Sequence, residues 1–147
     1  MDRLECTKNV IEAKRKKGLT YQEIADIIER DIVWTTSALL GQNTLDKNEA
    51  QKVATLLELS KEYEEALQVF PTKGATAIMP PTDPLIYRLY EIVLVYGDTL
   101  KEVIQEKAGD GIMSAIDFTM KVDKIENPAG DRIKITLDGK FLPYKKW

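Results

Sequence analysis

The C-terminal third of the chain carries the pattern of only two β-strands, and two strands cannot form a stable sheet alone. Apolar and polar residues alternate over residues 112–123 and again over residues 132–137. Such alternation is typical of strands with one buried face, and the intervening ENPAGD segment is a turn signal. A further turn is expected at Asp138-Gly139. Because no other segment has a strand pattern, we predict a β-hairpin that interlocks with the same hairpin of a partner subunit in an obligate homo-oligomer.

Residues 1–70 have the pattern of a helical bundle like those of repressor proteins. Thr20 precedes an apolar-periodic segment and is followed three residues later by Glu23, which is the spacing of a capping box. Asp46 stands in the same way before KNEAQKVATLLEL. The expected helices are a charged first helix that ends at Gly18, the segments 21–30, 47–59 and 62–69, and a short helix from near Thr35 to Gly41.

Two further parts follow this bundle. Residues 71–84 contain four prolines and one glycine, which predicts an extended linker or arm. Residues 85–147 are predicted to form a catalytic dimerisation domain that begins with a helix pair. Its first helix is LIYRLYEIVLVYG, opened by Asp83, and its second is TLKEVIQEK, opened by Asp98 and ended by Gly109. Together with the hairpin, these parts predict the α+β fold class.

The first helix of this pair is almost entirely apolar, yet it carries two opposite charges. Arg88 and Glu91 are three residues apart, so their side chains share a helix face and can meet. The remaining residues leave no polar side, and we expect the helix to be buried on most of its circumference. The pair is either a structural salt bridge or an anion-binding arginine held by its glutamate. A planar, forked guanidinium suits small planar oxyanions such as bicarbonate.

Ser114 follows a Gly-Asp-Gly turn at residues 109–111. Alternation places it on the apolar side of its strand, between Ile112 and Ile116. A buried serine is either a satisfied core hydroxyl or a site residue. The glycines let the backbone approach closely, and exposed N–H groups at the turn can join the hydroxyl in binding an anion. Because the chain has no histidine to activate a serine nucleophile, we assign Ser114 a hydrogen-bonding role.

Composition excludes several classes of site and of partner. The chain has no histidine and one cysteine, which excludes Ser–His and Cys–His nucleophile pairs, His-ligated zinc and cysteine metal clusters. A net charge of −3 gives no general attraction to nucleic acid or to an anionic membrane. No apolar run approaches the roughly 20 residues that span a bilayer, and the N-terminus lacks a signal-peptide pattern. We expect a soluble cytoplasmic protein.

The order and spacing of the N-terminal helices also match a repressor-type helix-turn-helix, whose usual function is DNA binding. Residues 1–70, however, contain ten basic and thirteen acidic side chains. The segment at the recognition-helix position, IVWTTSALLGQ, has no arginine or lysine for phosphates or guanine edges. These charges favour a scaffold over a DNA-binding regulator whose C-terminal half senses a small anion. A purely structural oligomerisation module is the third alternative.

Two blocks of the C-terminal half resemble the cyanases, a family also called cyanate lyases or cyanate hydratases. The blocks are PTDPLIYRLYEIVLVYGDTLKEVIQEKAGDGIMSAIDF and ITLDGKFLP, and they cover most of residues 80–143. The YRxYE block together with the GDGIxSAI block is far more specific than one short motif. The family also has a repressor-like helical domain that does not bind DNA. Ala108 departs from the family pattern, in which phenylalanine is more usual, but the change removes no reacting group.

The resemblance implies a bicarbonate-dependent decomposition of cyanate to ammonia and carbon dioxide through carbamate. Bicarbonate would be a co-substrate, with no metal and no organic cofactor. By motif position, the family's catalytic arginine, glutamate and serine fall on Arg88, Glu91 and Ser114. The family architecture further implies a homodecamer of five dimers with active sites between subunits. Such an activity would serve cyanate detoxification or nitrogen metabolism.

Overall fold

The computed structural model describes residues 1–75 and 77–145. The chain forms two compact units, Met1–Ala75 and Thr76–Trp147. The elements in chain order are α1 (Arg3–Lys16), α2 (Tyr21–Ile28), α3 (Ile32–Leu39), α4 (Lys47–Leu56), α5 (Lys61–Leu67), α6 (Pro84–Ala108), β1 (Gly111–Ile125) and β2 (Arg132–Pro143). The predicted α+β class is confirmed, since five helices are followed by a long sixth helix and an antiparallel hairpin.

The first unit is a helical bundle in which α2 and α4 begin at the capping residues that the sequence predicted. The Thr20 hydroxyl accepts from the Glu23 N–H at 3.1 Å, and the Glu23 carboxylate accepts from the Thr20 N–H at 2.7 Å. Asp46 and Glu49 form the same reciprocal capping box at α4. The bundle encloses one apolar core, which consists of Cys6, Val10, Ile24, Ile28, Ala38, Leu39, Leu45, Ala50, Val53, Leu57, Ala66 and Leu67.

Helix α3 begins one turn earlier than expected. The predicted start was near Thr35, but Asp31 caps the helix and its carboxylate accepts from the Val33 N–H at 2.8 Å. Aspartate is a slightly better N-cap than threonine, and the earlier start adds an apolar turn to the helix. Thr35 itself is fully buried within α3.

The predicted helix pair of the second unit is a single helix of 25 residues, so the break expected at Asp98 is wrong. Asp83 caps the start, and its carboxylate accepts from two backbone N–H groups of the first turn at 2.9 and 3.0 Å. A glycine inside a helix costs only about 1 kcal/mol relative to alanine. The helix therefore continues through Gly97 and ends before Gly109, whose φ is 88°.

Helix α6 has no buried residue in the single chain, so its predicted burial is wrong for one subunit. The side chains of Leu85, Val93, Leu94 and Val95 are 60–72% exposed. The hairpin of the same unit does not bury these apolar side chains. A cluster of large exposed apolar side chains is typical of protein–protein interfaces.

The hairpin pairs β1 with β2 in antiparallel register, with Ile125 opposite Arg132 and Met120 opposite Leu137. Alternation along both strands gives the hairpin one apolar face, which consists of Phe118, Met120, Val122, Ile133, Ile135 and Leu137. Ile133 is 66% exposed and Leu137 is 51% exposed, so this face is also uncovered in the single chain.

The strands depart from the predicted pattern at one place. Strand β1 has a bulge between Met113 and Phe118, which breaks the alternation that the sequence suggested. Strand β2 runs unbroken to Pro143, so the turn expected at Asp138-Gly139 is wrong. Gly139 lies opposite Phe118 at the edge of the bulge, where its missing side chain allows a close approach of the strands. The last two positions of the tail, 146–147, are outside the described residues.

Candidate active site

Arg88 and Glu91 form a salt bridge in the first half of α6. Nη1 of Arg88 donates to Oε2 of Glu91 at 2.7 Å, across one turn of the helix. The two side chains are 68% and 45% exposed in the single chain. Because exposed ion pairs contribute only about 0.2–1 kcal/mol to folding, stability is a weak reason for placing this pair among apolar residues.

The guanidinium retains most of its hydrogen-bonding capacity after it has paired with Glu91. Arginine has five N–H donors in a planar fork. In the described part of the chain, the hydrogen bond of Arg88 is the one that Nη1 donates to Glu91. The Tyr87 ring centroid lies 5.9 Å from the Cζ atom of Arg88. A fork with free N–H groups, anchored at one nitrogen, can bind an oxyanion through two parallel hydrogen bonds.

Ser114 lies inside the β1 bulge and is 8% exposed. Its hydroxyl oxygen accepts from the Ile116 N–H at 3.1 Å and from the Asp117 N–H at 2.9 Å. A hydroxyl has two acceptor lone pairs and one donor hydrogen. With both lone pairs occupied, the Ser114 hydroxyl is left with its O–H as a donor, which suits an anion. The expectation that Ile116 shares its side of the strand is wrong, because the bulge leaves Ile116 94% exposed.

The Gly-Asp-Gly turn brings backbone close to backbone, as the sequence predicted. A Cβ at Gly111 would lie 2.5 Å from Cζ of Phe141 and 2.9 Å from Cα of Pro143, so a side chain has no room there. The carbonyl of Asp110 accepts from the Tyr144 N–H at 3.0 Å. These contacts join the start of β1 to the end of β2. They fix the segment that directly precedes the bulge.

The structure therefore brings Arg88 and Glu91 into contact, whereas the hydrogen bonds of Ser114 run to the backbone of its own strand. The catalytic roles of these three residues stay predictions. Sequence reasoning missed the N–H groups of Ile116 and Asp117 as partners of the serine. The sequence offered one faint signal, since Ala115 and Ile116 are adjacent apolar residues where a regular half-buried strand would alternate.

Other classes of site find little support. Arg30, the basic residue that precedes α3, pairs with Glu49 at 2.5 Å and lies 4.8 Å from the Trp34 ring centroid, so its charge is already engaged. Within residues 1–75 and 77–145, no group of three or more His, Cys, Asp or Glu side chains is placed to hold a metal ion. None of the helices described is both long and apolar enough to cross a membrane.

Two family models match almost the whole chain between them. The cyanate hydratase N-terminal model matches residues 3–71, and the cyanate lyase C-terminal domain model matches residues 78–146. The boundary between the two matches falls in the proline-rich segment.

Relatives of similar length match as well. The chain is 57% identical over 141 residues to the cyanate hydratase of Synechococcus sp. (strain CC9311), covering 96% of this chain and 94% of that protein. It is 54% identical over 147 residues to that of Marinomonas sp. (strain MWYL1), covering both completely. The crystal structure of cyanase from T. urticae has a TM-score of 0.82 and 45% identity, covering 94% of this chain and 96% of that one. The chain belongs to the cyanate hydratase family.

Proposed function

We propose that this protein decomposes cyanate with bicarbonate to ammonia and carbon dioxide, with carbamate as an intermediate. The observation that carries the proposal is the forked guanidinium of Arg88, which Glu91 anchors at 2.7 Å in a part of α6, residues 85–97, that has no other charged side chain. Two relatives that match nearly the full chain are named cyanate hydratase, which supports cyanate as the substrate.

The reaction joins two small anions. An oxygen of bicarbonate attacks the cyanate carbon, and the proton of bicarbonate moves to nitrogen, which gives a dianionic adduct. The adduct loses the former bicarbonate carbon as carbon dioxide. One proton completes carbamate, whose C–N bond then breaks with uptake of a second proton to give ammonia and a second carbon dioxide. Every carbon, nitrogen and oxygen of the two reactants is accounted for.

Charge is the main obstacle that the protein must overcome. Two unit charges 4 Å apart repel by about 1 kcal/mol in water and by about 4 kcal/mol at an effective dielectric constant of 20. A guanidinium shared by both anions offsets this repulsion and aligns them. Alignment of reactants alone contributes up to about 7–11 kcal/mol in favourable cases. Ionised Glu91 cannot bind an anion directly, so its role is to orient Arg88.

Ser114 is assigned as a donor to one of the substrates. Its oxygen already accepts from two N–H groups, at 3.1 and 2.9 Å, so its lone pairs are not free to attack carbon. Its O–H remains to stabilise a developing oxyanion. We propose no metal or organic cofactor for the reaction.

The uncovered apolar faces of α6 and of the hairpin support an oligomer in which the hairpins of two subunits interlock. We propose a homodecamer of five dimers with active sites between subunits, in the cytoplasm. We further propose the division into a helical domain 1–70, an arm 71–84 and a catalytic dimerisation domain 85–147. The physiological role would be cyanate detoxification or nitrogen supply. A DNA-binding regulator is not favoured, because α3 has no basic residue of its own.

The test is an ammonia-release assay with cyanate, run with and without bicarbonate on protein sized by chromatography. We expect release that saturates in both anions and a particle of about ten chains. Equal release without bicarbonate would contradict the proposed reaction. Sequence-selective DNA binding at nanomolar affinity, with no ammonia release, would favour the regulator instead.

A further inference from the structure

Gly139 lies in β2 beside the bulge that contains Ser114. It belongs to the ITLDGKFLP block, none of whose residues has a role in the proposed reaction. A Cβ at Gly139 would lie far inside van der Waals contact of the Ser114 carbonyl oxygen and 2.6 Å from Cγ of Met113. Real Cβ atoms essentially never come within 3.0 Å of such neighbours. Strand β2 therefore passes the backbone of Ser114 at a distance that only glycine permits.

The geometry of the bulge couples this contact to the Ser114 hydroxyl. The hydroxyl is tied to the N–H groups of Ile116 and Asp117, two and three residues further along the same strand. A side chain at position 139 would push the Ser114 carbonyl away from β2. The Ser114 hydroxyl would then either move with the backbone or lose one of its two N–H partners. In the second case one lone pair of its oxygen becomes free, and the hydroxyl is no longer restricted to donating.

We propose that Gly139 is a positioning residue for the reaction, because its missing side chain fixes the bulge in which Ser114 presents its O–H to a small anion. The inference rests on the proposed function, in which Ser114 donates to a substrate. It assigns a role to a residue that contacts no substrate and acts through another residue.

The test compares Gly139→Ala in two backgrounds of the full chain, with ammonia release measured per assembled particle. In the wild-type background we expect kcat to fall about 100-fold, as for other misplacements of about 1 Å. In the Ser114→Ala background we expect the same substitution to change kcat by less than about threefold, since the hydroxyl that it displaces is already gone. Merely structural damage would lower kcat by the same factor in both backgrounds, which would overturn the proposal.

Gly130→Ala is the matched control. Gly130 lies in the turn at the other end of the hairpin with φ 120° and nothing within 4 Å of a Cβ, so alanine strains the same hairpin without crowding Ser114. Eight residues of extended strand, about 27 Å, separate this turn from Asp117. We expect kcat within about threefold of wild type. A loss as large as that of Gly139→Ala would overturn the proposal, because general weakening of the hairpin would then explain both.

A second variant, Met113→Ala with Gly139→Ala, removes the movable obstacle and leaves the Ser114 carbonyl in place. If Gly139→Ala alone does not assemble because its Cβ meets the Met113 side chain, the double variant is assayed in its place. We expect kcat to stay about 100-fold low, whereas recovery to wild-type kcat would trace the effect to Met113 and overturn the proposal. The outcomes also separate the two proposals. Normal turnover of Ser114→Ala contradicts the role of Ser114 itself, whereas normal Gly139→Ala beside impaired Ser114→Ala contradicts only the role of Gly139.

Discussion

Replacing Arg88 by lysine keeps the positive charge and removes the planar fork. In the structure, Nη1 is held by Glu91 at 2.7 Å, and the rest of the fork is the part that binds anions in our proposal. An ammonium is a compact charge that cannot hold Glu91 and two oxyanion oxygens in one plane. Hydrogen bonds to charged groups contribute about 1.5–3 kcal/mol each. Losing two of them in the transition state costs about 3–6 kcal/mol, which lowers kcat/KM by about 10²–10⁴-fold.

The same substitution should hardly change folding. In the single chain Arg88 is 68% exposed, where an ion pair contributes at most about 1 kcal/mol, and in the proposed oligomer lysine keeps the positive charge opposite Glu91. We therefore expect Arg88→Lys to assemble with a denaturation midpoint close to that of wild type. The assay is ammonia release over a range of cyanate and bicarbonate concentrations, on particles checked by size-exclusion chromatography. Arg15→Lys, at an exposed position of α1, is the matched control and should keep full activity. Turnover of Arg88→Lys within tenfold of wild type would refute the forked-anion reasoning.

Ser114→Ala should assemble normally and lose about 10²–10³-fold in kcat, as expected for the loss of one oxyanion donor; steady-state ammonia release checks this, and unchanged kcat would contradict it. Glu91→Gln should lower kcat/KM while leaving particle size unchanged, because an amide holds the guanidinium more weakly than a carboxylate; unchanged kinetics would show that Arg88 needs no anchor. Hydrogen bonds from the Thr20 N–H and hydroxyl lower the pKa of Glu23. The ionised carboxylate therefore stabilises the fold at any pH above the ordinary pKa of glutamate, about 4.3. This contribution is lost as the pH falls through the lowered pKa. Glutamine at position 23 has no charge to lose, so thermal melts of wild type and Glu23→Gln should converge at acid pH, and a difference that does not change with pH would contradict the assignment.

Features fixed by near neighbours in the sequence were predicted correctly. The capping boxes at Thr20 and Asp46 depend on residues three positions apart, and both are present. The contact between Arg88 and Glu91 likewise follows from helical spacing alone.

Features for which local signals conflict, or which depend on distant contacts, were missed. Asp98 has the chemistry of a helix start, but the apolar period on both sides of Gly97 continues the helix through it. Asp138-Gly139 has the residue types of a turn, yet it lies within β2, where the missing side chain of Gly139 lets the strand pass close to Ser114. The bulge and the donor-only hydroxyl follow from that passage. Within β1, the adjacent apolar residues Ala115 and Ile116 break the alternation, but this break does not by itself specify a bulge or its hydrogen bonds.

The most direct test of the Arg88 anion site is chemical rescue of Arg88→Ala. The variant should assemble and release almost no ammonia from cyanate and bicarbonate. Added guanidinium at millimolar concentration should restore part of the cyanate consumption, because it supplies the same planar fork, whereas equal methylammonium should not. Near-normal activity of Arg88→Ala without guanidinium, or equal rescue by methylammonium, would contradict the account.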